Sequence, residues 1–131
     1  TAFNARVTEE GYEIAGKTGT SQVRNITAAE REAGVTRNED LPWDRRDHAL
    51  FVGYAPADNP RYAVSVVVEH GGGGSAVAAP IARDLLLRAM YGELPPLSAY
   101  PVGLRREIEE MHDTMDLLPL EMLQSTGRVR A

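Results

Sequence analysis

Two apolar segments joined by a short turn place the strongest constraint on how this chain can fold. Residues 48–56 (HALFVGYAP) and 62–70 (YAVSVVVEH) are rich in β-branched and aromatic residues, and the ADNP sequence at 57–60 is typical of a turn. Such a short connection joins antiparallel neighbours, so the two segments are predicted to form a β-hairpin. Because 63–68 is almost continuously apolar, we expect the second strand to be buried on both faces.

A third strand and a covering helix complete the predicted architecture. Residues 11–24 favour a strand, in which Gly16 and Gly19 mark close approach by another backbone or a ligand. Residues 76–91 repeat apolar side chains at helical spacing, and Ser75 is a good N-cap for that helix. We therefore predict an α+β fold, in which an antiparallel sheet of three strands is covered by a C-terminal helix.

All of these elements lie within residues 1–92, which are predicted to form one structural unit. Residues 93–131 are predicted to be an appendage to it. They begin with a proline-rich extended connector at 93–101, continue with a short helix at 103–116 that lies on the unit, and end in a tail at 117–131.

The charge and composition exclude several function classes. A net charge of −5 argues against a general nucleic-acid binder, and the absence of cysteine excludes disulfides and cysteine-based zinc sites. The spacing of His48, His70 and His112 matches no metal-ligand motif, so we predict no metal and no cofactor and interpret these histidines as structural. The basic residues are 13 arginines and a single lysine, Lys17, which suggests a site where arginine cannot substitute.

Lys17 lies in a stretch, 11–18, that fits the pattern of a phosphate-binding P-loop. That loop needs small residues around the phosphate and a helix directly after it. Here the intervening residues are mostly bulky and include the acidic Glu13, while 19–23 contains a glycine and β-branched residues. The nucleotide-binding hypothesis is therefore disfavoured against a Lys-Thr-Gly sequence within a strand.

A strand places different chemistry at these residues. Lys17 and Gly19 are predicted to face one side, and Thr18 and Thr20 the other. An edge strand would leave backbone groups free to bind an extended peptide as an added strand. The ammonium of Lys17 and the hydroxyl of Thr20 would then attract a carboxylate, and the Thr20 amide could point at a carbonyl oxygen that becomes an oxyanion.

Lys17-Thr18-Gly19-Thr20 resembles the third motif of the penicillin-recognising serine enzymes, whose set is S-x-x-K, S-x-N and K-T-G. The resemblance extends through YEIAGKTGTSQV, RDHALFVGYAP and YAVSVVVEHGGGGSAVAAPIARDLL, which follow in order. Together these blocks resemble the C-terminal part of the transpeptidase domain in the penicillin-binding protein 2 family of class B peptidoglycan D,D-transpeptidases. The resemblance covers roughly residues 1–92 and implies a fragment of the β-lactamase/transpeptidase-like fold.

This resemblance implies a serine enzyme of cell wall biogenesis. Such an enzyme cross-links peptidoglycan stem peptides that end in D-Ala-D-Ala through an acyl-serine, and is acylated by β-lactams. It implies that Lys17 holds the S-x-N serine, that Thr18, Gly19 and Thr20 form the substrate-binding strand, and that the Thr20 amide is an oxyanion donor. It also implies a place on the periplasmic side of the bacterial inner membrane, with the anchor outside this chain, and a glycan polymerase of the elongation complex as partner.

Two of the three motifs are absent from this sequence. Position 14 is isoleucine, so S-x-x-K cannot be built on the single lysine Lys17, and no serine is followed two residues later by asparagine. We therefore expect the nucleophile and the S-x-N motif to lie upstream of Thr1, and the chain alone to be inactive.

The resemblance also implies that the strand at 62–70 pairs with a strand from that upstream portion. We expect the chain by itself to self-associate through this exposed edge. Two other functions stay open: a non-catalytic interaction module with a penicillin-binding-like fold, and a β-lactamase that shares the Lys-Thr-Gly strand. The blocks after the Lys-Thr-Gly favour the transpeptidase over the β-lactamase.

Overall fold

The computed structural model describes residues 3–117 of the chain. Its strands and longer helices are, in chain order, β1 (Ala15–Ser21), α1 (Ala28–Ala33), β2 (His48–Ala55), β3 (Tyr62–Val68), α2 (Ala79–Tyr91) and α3 (Arg105–Thr114). A π-helical turn, Gly74–Ala78, leads into α2. Short 3-10 turns occur at Phe3–Ala5, Asn38–Asp40, Trp43–Arg45, Leu97–Ala99 and Val102–Leu104.

The three strands form one antiparallel sheet in the order β1-β2-β3. The register pairs Lys17 with Val52 and Thr18 with Phe51. The α+β fold class and the hairpin are therefore confirmed. The first strand is shorter than the predicted 11–24, because Tyr12 lies before β1 and stacks on Tyr91 at the end of α2, with ring centroids 4.4 Å apart.

One side of the sheet, which we call the helix face, packs against α2 and forms the main core. Ala49, Phe51 and Val66 are buried on it. They pack against small side chains of the π turn and α2, namely Ala78, Ala79 and Ala82. Burial of a phenylalanine side chain stabilises a fold by about 1.5–3 kcal/mol, so Phe51 is the largest single contributor on this face.

The opposite side of the sheet, the open face, is formed by Val52, Tyr54 and Val67 together with Lys17. Val67 is 59% exposed, and Val52 is 53% exposed. The prediction that β3 is buried on both faces is therefore wrong for this chain. Among residues 3–117, α2 covers only the helix face, so the apolar side chains on the other side of β3 meet solvent.

The entry into α2 also differs from the prediction. Ser75 is not an N-cap, because it lies inside the π turn and its side chain makes no capping hydrogen bond. The α-helix proper begins at Ala79 with Pro80 in its first turn, and it ends at Tyr91, followed by Gly92, whose φ of 75° is left-handed. Only one side of α2 meets the sheet, so Leu85 in the predicted apolar stripe stays exposed.

Residues 93–117 pack onto the rest of the structure. Tyr100 is buried, and its ring lies beneath the guanidinium of Arg83, with 5.0 Å from Cζ to the ring centroid. Burial raises the pKa of the Tyr100 phenol far above its ordinary value, and the neighbouring Asp84 carboxylate raises it further. The predicted extended connector is therefore a structural part of a second core cluster. That cluster consists of Val7, Leu87, Ala99, Tyr100 and Ile108.

The short helix expected at 103–116 is confirmed as α3, which lies on the unit through buried Ile108. The predicted tail falls almost wholly on 118–131, outside the described residues. The division of the chain at residue 92 stays a prediction.

Candidate functional site

The Lys-Thr-Gly sequence lies in the middle of β1, and β1 is an edge strand with only β2 beside it among the described residues. Lys17 is exposed, and its Nζ donates a hydrogen bond to the carbonyl oxygen of Thr18 at 2.6 Å. No helix follows Thr18 directly, since the strand continues to Ser21. The geometry is therefore that of a strand edge and excludes a P-loop.

Alternate residues of β1 point to opposite sides of the sheet, as predicted. Lys17 and Gly19 pair with Val52 and Leu50, which places them on the open face. Thr18 pairs with the core residue Phe51, so its side chain belongs to the helix face. Thr20 shares that face by the same alternation.

A glycine-rich turn borders this part of β1. Residues 17–20 and 73–75 together line an open cavity of about 540 Å³, which we call the edge groove. The turn approaches the strand so closely that a Cβ added at Gly74 would overlap the backbone oxygens of Gly19 and Leu50. Sequence reasoning did not place 73–75 at the site, although four consecutive glycines are a signal for a close backbone approach.

The two glycines of β1 have different neighbours. Gly74 approaches the backbone of Gly19, but a Cβ added at Gly19 itself would meet only the side chain of Leu50, at 3.3 Å, so the missing side chain at 19 is not what admits the turn. At Gly16 the neighbour is an aromatic ring: a Cβ would overlap the side chain of Phe51. The ring also lies over Gly53, where the nearest ring carbon would be 2.7 Å from an added Cβ. The missing side chain at Gly16 therefore makes room for the Phe51 ring and leaves no space for a ligand on the helix face.

The segment after β1 is held by a bidentate ion pair. Arg24 donates to both carboxylate oxygens of Glu30, at 2.8 Å and 2.6 Å. This hydrogen bonding holds the pKa of Glu30 below its ordinary value and raises the pKa of Arg24. Glu30 also lies in the first turn of α1, where its amide donates to Oγ1 of the N-cap residue Thr27 at 3.2 Å.

Two histidines and a tryptophan meet at the far end of the hairpin. His48 begins β2, His70 follows β3, and their rings contact edge to face at 4.7 Å between centroids. The indole of Trp43 packs against His70 at 4.4 Å, although 63% of Trp43 is exposed. The interpretation of both histidines as structural residues at strand ends fits this packing. The carboxylate of the neighbouring Asp47 accepts hydrogen bonds from the Asn38 side chain and the Val23 amide.

Comparison with known proteins gives a consistent match. The family model of the penicillin binding protein transpeptidase domain matches residues 1–87. The peptidoglycan D,D-transpeptidase MrdA of Haemophilus influenzae is 36% identical over 99 residues, which are 76% of this chain and 15% of that protein. MrdA of Acinetobacter baumannii is 44% identical over 90 residues, which are 65% of this chain and 12% of that protein.

The chain also aligns with part of a solved structure. The complex between penicillin-binding protein PBP2 and MreC from Helicobacter pylori aligns at 27% identity with a TM-score of 0.47, over 70% of this chain and 14% of that chain. The chain thus spans less than one sixth of the length of each of these relatives. Between residues 3 and 117, no helix has both the length and the apolar character that crossing a membrane requires.

Proposed function

Since the chain belongs to the penicillin-binding protein transpeptidase family, we propose that it is the Lys-Thr-Gly segment of a serine-type peptidoglycan D,D-transpeptidase. The observation that carries this proposal is the placement of Lys17-Thr18-Gly19-Thr20 on a strand edge that pairs with no other strand among residues 3–117, beside the edge groove. A strand edge offers backbone hydrogen bonds to an extended peptide, and a neighbouring ammonium favours a peptide that ends in a carboxylate.

The proposed substrate is a stem peptide that ends in D-Ala-D-Ala, and β-lactams would occupy the same groove. Lys17 would hold the serine of an S-x-N motif and attract the terminal carboxylate. Thr18 and Thr20 would help bind that carboxylate, with Gly19 leaving the strand free of a side chain between them. The amide of Thr20 would donate to the oxyanion that forms when the acyl-serine is made and broken.

The nucleophilic serine would come from a part of the polypeptide outside this chain. The whole enzyme would work on the periplasmic side of the bacterial inner membrane, where its substrate is exposed, together with a glycan polymerase of the elongation complex. The chain by itself would not be acylated, because none of its serines belongs to an S-x-x-K sequence.

Labelling with a fluorescent penicillin tests this proposal. The full-length protein encoded by the gene is expected to take up covalent label, whereas the isolated chain is not. Lys17→Gln removes hydrogen bonds from a charged donor, each worth about 1.5–3 kcal/mol, so the second-order rate of acylation should fall about 10- to 100-fold. The matched control is Arg106→Gln, which removes one positive charge from a side chain that is 90% exposed on α3.

Each outcome has one meaning. An unlabelled full-length protein rules out the transpeptidase and favours the non-catalytic interaction module. Label on the isolated chain shows that the nucleophile lies within it. Equal rates for Lys17→Gln and Arg106→Gln remove Lys17 from the site.

A further inference from the structure

The glycine-rich turn beside the edge groove starts from a residue in an unfavourable backbone conformation. His70 has a φ of 55°, and it is the one non-glycine residue with positive φ among residues 3–117. The left-handed region disfavours residues that carry a Cβ, although histidine enters it more often than most. Something must therefore hold His70 in place, and whatever holds it also sets where the turn begins.

His48 supplies the principal contact. The backbone amide of His70 donates to Nδ1 of the His48 ring at 2.8 Å. Nδ1 of His48 is therefore an acceptor without a proton, and the ring proton lies on Nε2. Nδ1 of the His70 ring lies 2.9 Å from the carbonyl oxygen of Arg46, and because a carbonyl can only accept, this nitrogen donates the hydrogen bond.

The next residues of the turn are fastened in sequence. The Gly71 amide donates to the Val68 carbonyl at 3.2 Å, and the Gly72 amide donates to the Asp47 carbonyl at 2.8 Å. Two residues later Gly74 lies against the backbone of Gly19. The chain therefore has little slack between the His48 contact and the wall of the edge groove, and a shift at His70 would move 73–75 relative to β1.

We propose that His48 is a positioning residue for the edge groove, acting through the His70 amide to hold residues 73–75 against the Lys-Thr-Gly strand. His48 itself does not line the groove. This inference rests on the proposed function, since it assigns His48 to the groove in which the acyl donor binds. Loss of the Nδ1 acceptor loosens one wall of the groove, so the binding of the donor weakens before the covalent step is affected.

The test measures acylation of the full-length protein by a penicillin across a range of concentrations, which separates the apparent dissociation constant from the acylation rate constant. His48→Leu removes the acceptor and should raise the dissociation constant about tenfold, the effect of one hydrogen bond, with the rate constant changed less than threefold. His48→Asn keeps an acceptor, Oδ1, near the place of Nδ1 and should restore most of the affinity. His48→Gln places its acceptor near Nε2 and should not.

A loss of stability alone must be told apart from a loss of positioning. Ile108→Ala removes a buried side chain of the second core cluster, away from the edge groove. It should lower the unfolding temperature and leave the dissociation constant of the folded protein at the wild-type value. Hydrogen exchange gives an independent reading: amides of 70–74 should exchange faster in His48→Leu than in His48→Asn or Ile108→Ala.

The outcomes separate this inference from the proposed function. A wild-type protein without label overturns both. A labelled wild type in which His48→Leu binds as tightly as His48→Asn overturns the role of His48 alone. Equal losses of affinity in His48→Leu and Ile108→Ala also overturn it, because the effect would then follow stability.

Discussion

The contact between the glycine turn and β1 makes Gly74→Ala a sharp test of the fold around the site. The new Cβ would overlap the backbone oxygens of Gly19 and Leu50. Neither oxygen belongs to a flexible side chain that could turn away, and both residues are paired across the β1–β2 ladder. The methyl group can therefore be accepted only if the turn moves away from the sheet.

The magnitude follows from this geometry. Overpacking of a well-packed site lowers the free energy of unfolding by about 1–3 kcal/mol. Because the atoms that the new methyl group meets are backbone atoms and cannot move aside, we expect about 3 kcal/mol for Gly74→Ala. Gly74 is not among the glycines with positive φ, so the cost comes from contact alone. For a chain of this size 1 kcal/mol corresponds to about 4 °C, so the unfolding midpoint should fall by about 12 °C.

The neighbouring residue provides the matched control. A Cβ at Gly73 would meet nothing within 4 Å, and Gly73 has φ −87° and ψ 126°, which alanine adopts freely. Gly73→Ala should leave stability unchanged or raise it by up to about 1 kcal/mol. Thermal unfolding followed by circular dichroism compares the two variants at one protein concentration. Midpoints within about 2 °C of each other would refute the close packing of the turn on β1.

Two further predictions concern the pH dependence of stability and self-association. Arg24 lowers the folded-state pKa of Glu30 from its ordinary 4.5, so the pair stabilises the fold above that pH, and the stabilisation is lost as the pH falls below it. The difference in unfolding free energy between wild type and Glu30→Gln, measured by urea unfolding, should therefore shrink from pH 7 to pH 3. An equal difference at both pH values would contradict the pairing. β3 leaves one edge unpaired in the described part of the chain, and we expect the isolated chain to associate through it. Light scattering should show that Val67→Lys reduces this association. The control Val35→Lys, at a valine that is 49% exposed outside the sheet, should not reduce it. A compact monomer for the wild-type chain would count against the proposal.

Local patterns predicted the elements that local chemistry determines. The bounds of β2 and β3 lie within two residues of the predicted ones, because β-branched runs favour strands and a short turn between them favours a hairpin whatever the rest of the chain does. The same holds for Lys17 within a strand, since the residues after it disfavour a helix. The C-terminal boundary of α2 was set by Gly92, which adopts the left-handed conformation that only glycine reaches easily.

The remaining features depend on which parts of the chain meet. The apolar sequence of β3 shows that both of its faces suit burial, but whether Val67 is covered depends on what lies across the sheet. Serine is a residue type that often caps helices, yet Ser75 lies inside a π turn, next to Gly74 and its close contact with β1. Tyr100 belongs to a proline-rich segment that has the composition of a linker. Its burial depends on the contact with Arg83, which is 17 residues away in the sequence.

The ring of Phe51 has a consequence for how this strand pair can vary. The ring lies over Gly16 and Gly53 at once, and at each glycine a backbone oxygen also lies within 3.0 Å of an added Cβ: that of Val52 at Gly16 and that of Ala15 at Gly53. A smaller residue at 51 would relieve the overlap with the ring but not the overlap with the backbone, so it should rescue a side chain at either glycine only in part. Gly16 directly precedes Lys17, so the residue tolerated beside the lysine is limited by the Phe51 ring and the Val52 carbonyl, neither of which lines the edge groove.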